Sequence, residues 1–331
     1  MNQPDPSLII DLIEAFRRSK TMFAALEMGV FDRLEEAPAD ARKLAKGTSV
    51  DTMARLLDAC VSLGLLRSDG NLYSNTDVAS AYLCRRSPRT LAGYISYSNR
   101  VLYPMWGHLE DAVREGTNRW KQAFGLEGAL FSHFYRTEAD KRDFLLGMHG
   151  FGQLYSPAVV SAFDLGSYRR MVDLGGGTGH LAMAAAERYP EMSVAVFDLP
   201  EAVDYALEFT FGARVELLPG DFFTDPLPPA DLYAVGRILH DWSEEKIRAL
   251  LVKIRSALPE GGALLIAEKL LEEDMHGPVH GHMQSLNMLI CTEGRERSFS
   301  QYAELLRAAG FGRTEGRVTG APLDALLAVK E

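Results

Sequence analysis

Three sets of residues in this 331-residue chain have types and spacing suited to chemistry. The first is Asp173-Leu-Gly-Gly-Gly-Thr-Gly, an acid followed by Gly175, Gly177 and Gly179 at alternate positions. Glycines so placed let the backbone turn tightly and leave bare peptide against which a nucleotide-like ligand can lie. The dinucleotide fingerprint would put its third glycine where this chain has His180, so a pyrophosphate is not expected. The second set is acidic and aromatic. Asp198 follows Asp173 by 25 residues, a distance suited to accepting hydrogen bonds from both hydroxyls of a ribose, and Leu199 adjoins it. The competing role for Asp198 is to cap the helix after Pro200. In Gly220-Asp221-Phe222-Phe223 an acid beside aromatics could bind an adenine amine and stack on its face, and core packing of Phe223 is equally open. The third set is Arg237-Ile-Leu-His240-Asp241-Trp, together with Glu268 and Glu296. A histidine titrates near 6.5, so His240 is the expected general base, with the two glutamates orienting its ring and favouring the protonated product.

These residues require a scaffold that places them on one rim. From residue 166 the chain alternates strand and helix: strands at Met171–Leu174, Ser193–Phe197, Val215–Leu218, Ala230–Val235 and Gly262–Ala267, with helices between them. The helix Ser243–Ala257 carries its own cap, Ser243, and two acids in its first turn. This is the pattern of a mostly parallel, doubly wound α/β sheet, in which ligands sit outside the carboxyl ends of the strands. Two further strands, Thr314–Val318 and Ala325–Lys330, are expected to finish it with a reversed edge pair.

The N-terminal part is helical. Ser7–Lys20 and a second run to Met28 are amphipathic, with Leu8, Ile9, Leu12, Ile13 and Phe16 available for a core or for a second subunit. Residues 40–76 read as helix, helix, strand, Ser-Asp-Gly-Asn turn, strand, a winged-helix outline. Its second helix offers one arginine and two aspartates, a poor set for reading bases, so dimerisation is preferred over DNA binding. Thr76 should cap a helix through Tyr82, and Thr90–Glu115 should be helical with Pro104 forcing a break or kink near Tyr103. Phe131–Tyr135 and Glu138–Phe163 read as further helix. The expected division is a dimerisation domain over 1–100, a helical linker over 101–165 that contributes to the pocket, and a ligand-binding domain over 166–331.

Composition narrows the partners. A net charge of −10 opposes binding to a phosphate backbone. Three scattered cysteines imply free thiols, and no segment approaches the roughly 20 apolar residues of a membrane span, so a cytoplasmic protein without nucleic-acid or membrane partners is expected. His276, His280 and His282 have a metal-like spacing but lie in a segment that reads as a loop with no paired acid. A lid is expected there and no metal.

With these residues assembled, Asp173-x-Gly-x-Gly-x-Gly resembles the first motif of S-adenosylmethionine (SAM) dependent methyltransferases. Trp106-Gly-His-Leu, Phe197-Asp-Leu-Pro, Gly220-Asp-Phe-Phe, Arg237-Ile-Leu-His-Asp-Trp, Ser285-Leu-Asn-Met-Leu and Thr292-Glu-Gly-Arg-Glu-Arg extend the likeness to small-molecule O-methyltransferases of the caffeate and acetylserotonin type. The resemblance implies a class I (Rossmann-like) methyltransferase domain behind a winged-helix dimerisation domain, a homodimer, SAM as methyl donor with S-adenosylhomocysteine as product, and no metal. It places His240 as the catalytic base flanked by Glu268 and Glu296. Asp173, Gly175, Gly177, Asp198, Leu199, Asp221, Phe222 and Arg237 fall on the cofactor side. Trp106, Asn287 and Met288, joined by Phe144, Met148 and Asp241, border a small aromatic acceptor. A phenol near pKa 10 facing a histidine near 6.5 makes full prior proton transfer uphill by about 5 kcal/mol, so proton removal should accompany attack on the methyl group. The rival readings are a SAM enzyme of the same fold that methylates nitrogen or carbon or transfers no methyl, and a non-catalytic winged-helix regulator.

Overall fold

The computed structural model describes residues 4–128, 133–135 and 137–331. It divides into two compact units, residues up to Val101 and residues from Leu102 onward.

The first unit opens with one continuous helix, Ser7–Glu27, where the sequence pattern suggests two runs; no glycine or proline interrupts it. Only its C-terminal end enters the unit's core, through Ala25 and Leu26. Leu8, Ile9, Leu12, Ile13 and Phe16 remain 53–68% exposed, so they are not core of this chain. A helix not foreseen from the sequence, Val30–Glu36, follows Gly29, whose φ of 66° turns the chain. The helix Val50–Ser62 buries Met53, Leu57 and Cys60, and β1 (Leu66–Asp69) pairs with β2 (Leu72–Asn75) in the expected antiparallel wing. Arg55, the basic residue of that helix, is paired with Asp51 at 2.7 Å. Thr76 caps Asp77–Tyr82 as its position predicts.

The second unit begins with short helices, Tyr103–Trp106 and Leu109–Glu115. Pro104 does not break a long helix there. It occupies the first turn of Tyr103–Trp106, where its missing N–H costs nothing, directly after a π turn over Ser98–Leu102. Phe131 lies outside the described residues. The long helix Glu138–Ser161, capped by Thr137, packs its glycine-rich face inward with Gly147, Gly150 and Gly152 buried.

The sheet is built from β3 (Arg170–Leu174), β4 (Ser193–Asp198), β5 (Val215–Pro219), β6 (Leu232–Gly236) and β7 (Ala263–Glu268). A small pair, β8 (Leu270–Leu271) with β9 (Arg297–Ser298), lies apart from it, and β10 (Thr314–Arg317) and β11 (Asp324–Val329) complete the main sheet. Strand order is β10-β11-β7-β6-β3-β4-β5, with β11 running against its neighbours. The chain winds outward from β3 in one direction and from β6 in the other, so the crevice between these two strands is the topological switch point where this class of sheet holds ligands. Met171, Val172, Ala195, Ala234 and Leu265 are fully buried, as strands covered by helices on both faces must be. Among the described residues no helix is long and apolar enough to cross a membrane.

Candidate active site

The glycine turn is held by its neighbours on three strands. Gly175, Gly177 and Gly179 have φ of 69°, 55° and 79°, a region that L side chains avoid. A Cβ on Gly175 would meet Ile238 Cδ1 at 2.5 Å and Phe222 Cε1 at 3.1 Å, so the loops after β3, β5 and β6 converge on bare backbone. Asp198, at the end of β4, accepts the N–H of Gly177 on one oxygen and that of Leu199 on the other, each at 2.7 Å. Asp198 thus braces the glycine turn and its own neighbour, but it does not cap the helix Pro200–Thr210, whose N-cap is Leu199 with no side-chain cap; each oxygen keeps a lone pair for a donor. Burial lifts its carboxyl to about 6 against the pull of those two N–H groups. Asp173 beneath it is 1% exposed, and its Oδ2 has no hydrogen-bond partner among the described residues. Burial, with the nearby Asp198 charge adding, pushes it to about 8. An orphan buried carboxylate oxygen fits a ligand that brings a positive charge or a donor. Asp221 accepts the N–H of Phe223 at 2.8 Å. Phe222 faces Gly175, whereas Phe223 stands edge-on to Trp242 at 4.9 Å, so the two adjacent rings have separate jobs.

The basic group sits at the end of β6. Arg237 has a φ of 57°, a strained value for a residue with a side chain, fixed by its N–H donating to Ala267 O at 3.0 Å. Its guanidinium lies 5.1 Å over the Phe151 ring. A 3₁₀ turn, Leu239–Asp241, then delivers His240, which is 1% exposed. Glu268 closes β7, and its Oε1 accepts the N–H groups of Ile238, Leu239 and His240 at 3.1, 2.9 and 3.3 Å. One carboxylate oxygen thus caps the turn that carries the histidine, and the other lies 3.3 Å from His240 Nδ1.

Glu296 Oε1 lies 2.6 Å from the same nitrogen. An ionised Glu296 accepts from Nδ1–H, and the lone pair is then on Nε2. Asp241 Oδ1, at 3.6 Å from Nε2, is beyond hydrogen-bond reach. Burial pushes Glu268 up to about 7 and Glu296 to about 8, and drives Asp241 upward. Glu296 reaches the ring because the Thr292-Glu-Gly loop lies against the backbone of His240 and Asp241. Glu293 N–H donates to Asp241 O at 3.2 Å, and any side chain at 294 would overlap the His240 carbonyl oxygen.

Among the residues expected to border the acceptor, the Trp106 indole N–H donates to Asn287 Oδ1 at 3.0 Å. Asn287 and Met288 are buried on the helix Val279–Cys291. Phe144 and Met148 are half-buried one turn apart on Glu138–Ser161. Phe144 joins the first pair only indirectly. It stacks on Phe134 at 4.6 Å, Phe134 meets Trp120 edge-on at 5.3 Å, and Trp120 Nε1–H donates to Cys291 O at 2.8 Å. Trp120 and Ile238 were not singled out from the sequence: an isolated aromatic or aliphatic residue carries no periodic signal that separates a pocket wall from core. The histidine-bearing segment differs from its expectation. His280 and His282 lie in the first turns of Val279–Cys291, which begins directly after Pro278, and only His276 lies in a loop.

Residues 106–312 match the O-methyltransferase domain and residues 10–85 the O-methyltransferase dimerisation domain. The chain is 41% identical to the acetylserotonin O-methyltransferase of Gallus gallus, over 98% of this chain and 97% of that protein. Identity to the Homo sapiens enzyme of that name is also 41%, with the same shares covered. The solved structure of human N-acetylserotonin methyltransferase in complex with SAM is similar with a TM-score of 0.95, covering 100% of this chain and 99% of that one at 41% identity. PigF with SAH is similar at 0.90 and 29% identity, covering 99% and 100%. With the domain match spanning more than half of the chain and relatives matching it from end to end, the chain belongs to the O-methyltransferase family whose members carry a dimerisation domain ahead of the transferase domain.

Proposed function

We propose that this protein moves a methyl group from SAM to a phenol-like hydroxyl of a small aromatic molecule, with His240 as general base. The observation that carries this reading is the 2.6 Å contact between His240 Nδ1 and Glu296: the ionised carboxylate holds the proton on Nδ1 and so presents Nε2 as the acceptor. SAM supplies an electrophilic methyl group on a sulfonium centre. Asp198 offers its remaining lone pairs to ribose hydroxyls, Asp173 Oδ2 awaits a cationic or donating group, Gly175 and Gly177 keep the turn bare, and Phe222 with Asp221 borders the base. Leu199 and Arg237 complete the cofactor side. His240 Nε2 takes the hydroxyl proton as the oxygen attacks, and Glu296 and Glu268 stabilise the resulting imidazolium. Trp106, Asn287, Met288, Phe144, Met148 and Asp241 line the acceptor side, with the stretch 101–165 contributing to it.

No metal is needed in this reading. His240, Glu268 and Glu296 form a compact ligand-like trio. In this reading the 2.6 Å contact of Glu296 with Nδ1 acts as a charge-assisted hydrogen bond. The exposed apolar row from Leu8 to Phe16, in a helix that overlaps the dimerisation domain, supports a homodimer.

The relatives' names give acetylserotonin as acceptor, and that compound heads the test: labelled SAM with a panel of hydroxylated indoles, flavonoids, polyketides and phenazines. Transfer to a phenolic hydroxyl that is unchanged by a chelator supports the proposal. Transfer only to nitrogen or carbon, or to no member of the panel, contradicts it.

A further inference from the structure

His180, which opens the helix His180–Arg188 directly after the glycine turn, has no part in the chemistry above. Its environment is nevertheless built. Its Nδ1 lies 2.9 Å from Ser156 Oγ, and Ser156 donates to Gly152 O at 2.8 Å. The hydroxyl proton is thereby committed, so the imidazole must be the donor and its proton sits on Nδ1. The ring stands edge-on to Tyr155 at 5.4 Å and fills the place a side chain on Gly152 would occupy, since a Cβ there would fall within the imidazole. Gly152 has an ordinary helical setting, so close approach is the reason for glycine at this position.

One turn earlier on the same helix, His149 repeats the arrangement. Its Nδ1 lies 2.9 Å from Thr178 Oγ1, inside the glycine turn, and Gln153 Nε2 lies 2.9 Å from its other nitrogen. The amide donates, so the ring again carries its proton on Nδ1 and directs it at the turn. Its outer side packs on Phe209 at 4.3 Å. Burial lowers both imidazoles, His149 to about 4 and His180 to about 3, the latter with the His149 and Arg237 charges adding. Each neutral ring has one donor, which His149 spends on the Thr178 hydroxyl of the turn and His180 on the Ser156 hydroxyl of the helix.

Taking the glycine turn as the cofactor cradle, we propose that His149 and His180 are positioning residues for the cofactor: through Thr178 and Ser156 they fasten the turn to the helix Glu138–Ser161. That helix also carries Phe144 and Met148 on the acceptor side, so one rigid element sets both halves of the site. A turn released from it keeps its glycines but samples positions that a ligand must then restrict, and affinity falls accordingly.

The test is SAM affinity by isothermal titration on the full-length protein, with thermal melting of each variant. His149→Phe keeps the packing on Phe209 and removes the donor, and SAM should bind about five- to tenfold more weakly. His149→Asn places an amide N–H near the lost Nδ1 and should recover most of that loss. The rate effect should fall on KM for SAM more than on kcat, a split that general loss of stability would not produce. Gly152→Ala should weaken SAM binding about tenfold in the native background and have no further effect in a His180→Ala background, because the three atoms nearest that Cβ all belong to the His180 ring. SAM bound by His149→Phe as tightly as by the native protein, or a Gly152→Ala effect that persists without His180, overturns the proposal. Asp198→Asn separates the two levels. If it too leaves SAM affinity untouched, the cradle itself is misassigned. If it weakens binding while His149→Phe does not, only the positioning role fails.

Discussion

Replacing Glu296 with Gln removes a carboxylate from the Nδ1 side of His240, and the structure sets the size of the effect. The lost interaction is a 2.6 Å N–H···O contact between residues 1% and 2% exposed, so water screens little of it. Charge-assisted hydrogen bonds of this kind contribute about 1.5–3 kcal/mol. Glu268 Oε2 remains 3.3 Å from the same nitrogen and takes over part of the role, which places the loss near the lower end. About 1.5–2 kcal/mol of transition-state stabilisation corresponds to a 10- to 30-fold fall in kcat, with KM for SAM unchanged. The pH profile carries an independent sign. Glu296 and Glu268 titrate upward of their ordinary range, at about 8 and about 7, so each takes up a proton as pH falls through that window and then no longer stabilises an imidazolium. The native rate should therefore rise from pH 6 to 9, and Glu296→Gln should flatten the upper part of that rise. The assay is initial-rate transfer of a labelled methyl group at saturating SAM across this range. A Glu296→Gln protein within twofold of the native kcat, with the same pH profile, would refute the tautomer-fixing role.

Asp173→Asn should stabilise the ligand-free protein. Its carboxyl is raised to about 8, so its charge costs stability once pH exceeds the unfolded value near 3.8; the variant's melting temperature should exceed the native one by about 2–5 °C at pH 8 and converge with it towards pH 4. Gly175→Ala combines a left-handed φ with overlap on Ile238 and Phe222, and should weaken SAM binding at least tenfold by titration while melting lower. Trp106→Phe leaves Asn287 Oδ1 without its donor and should raise KM for the acceptor about fivefold or more, with KM for SAM unaltered in steady-state kinetics. Phe16→Glu places a charge in the exposed apolar row and should convert a dimer to monomer in sedimentation velocity, without changing the melting of the second unit.

How much of this was legible in the sequence depended on whether a residue's role is local. The doubly wound sheet, the Ser243 and Thr76 caps and the winged hairpin follow from periodicity and turn chemistry, and the structure has them within a residue or two. The trio at His240 was nameable because its members sit at strand ends or in a recognisable motif. Their division of labour was not, since only coordinates show that Glu268 spends one oxygen on three backbone N–H groups. Pro104 misled because a proline that breaks a helix and one that starts a helix look alike until the preceding π turn is seen. At His280 and His282 the neighbouring glycine and proline outweigh the apolar spacing from Met283 to Ile290, so the sequence pattern favours a loop where the structure has a helix. His180 had no assignable role in the sequence because its partners, Ser156 and Gly152, lie on a helix more than 20 residues away.

The most direct measurement is methyl transfer by His240→Ala, at saturating SAM, to an acceptor phenol that the native protein methylates. Removing a positioned general base should lower kcat by about 10²- to 10⁴-fold while SAM affinity stays within a few-fold of native. Transfer to the phenolic oxygen at the native rate would contradict the assignment of His240 as the base.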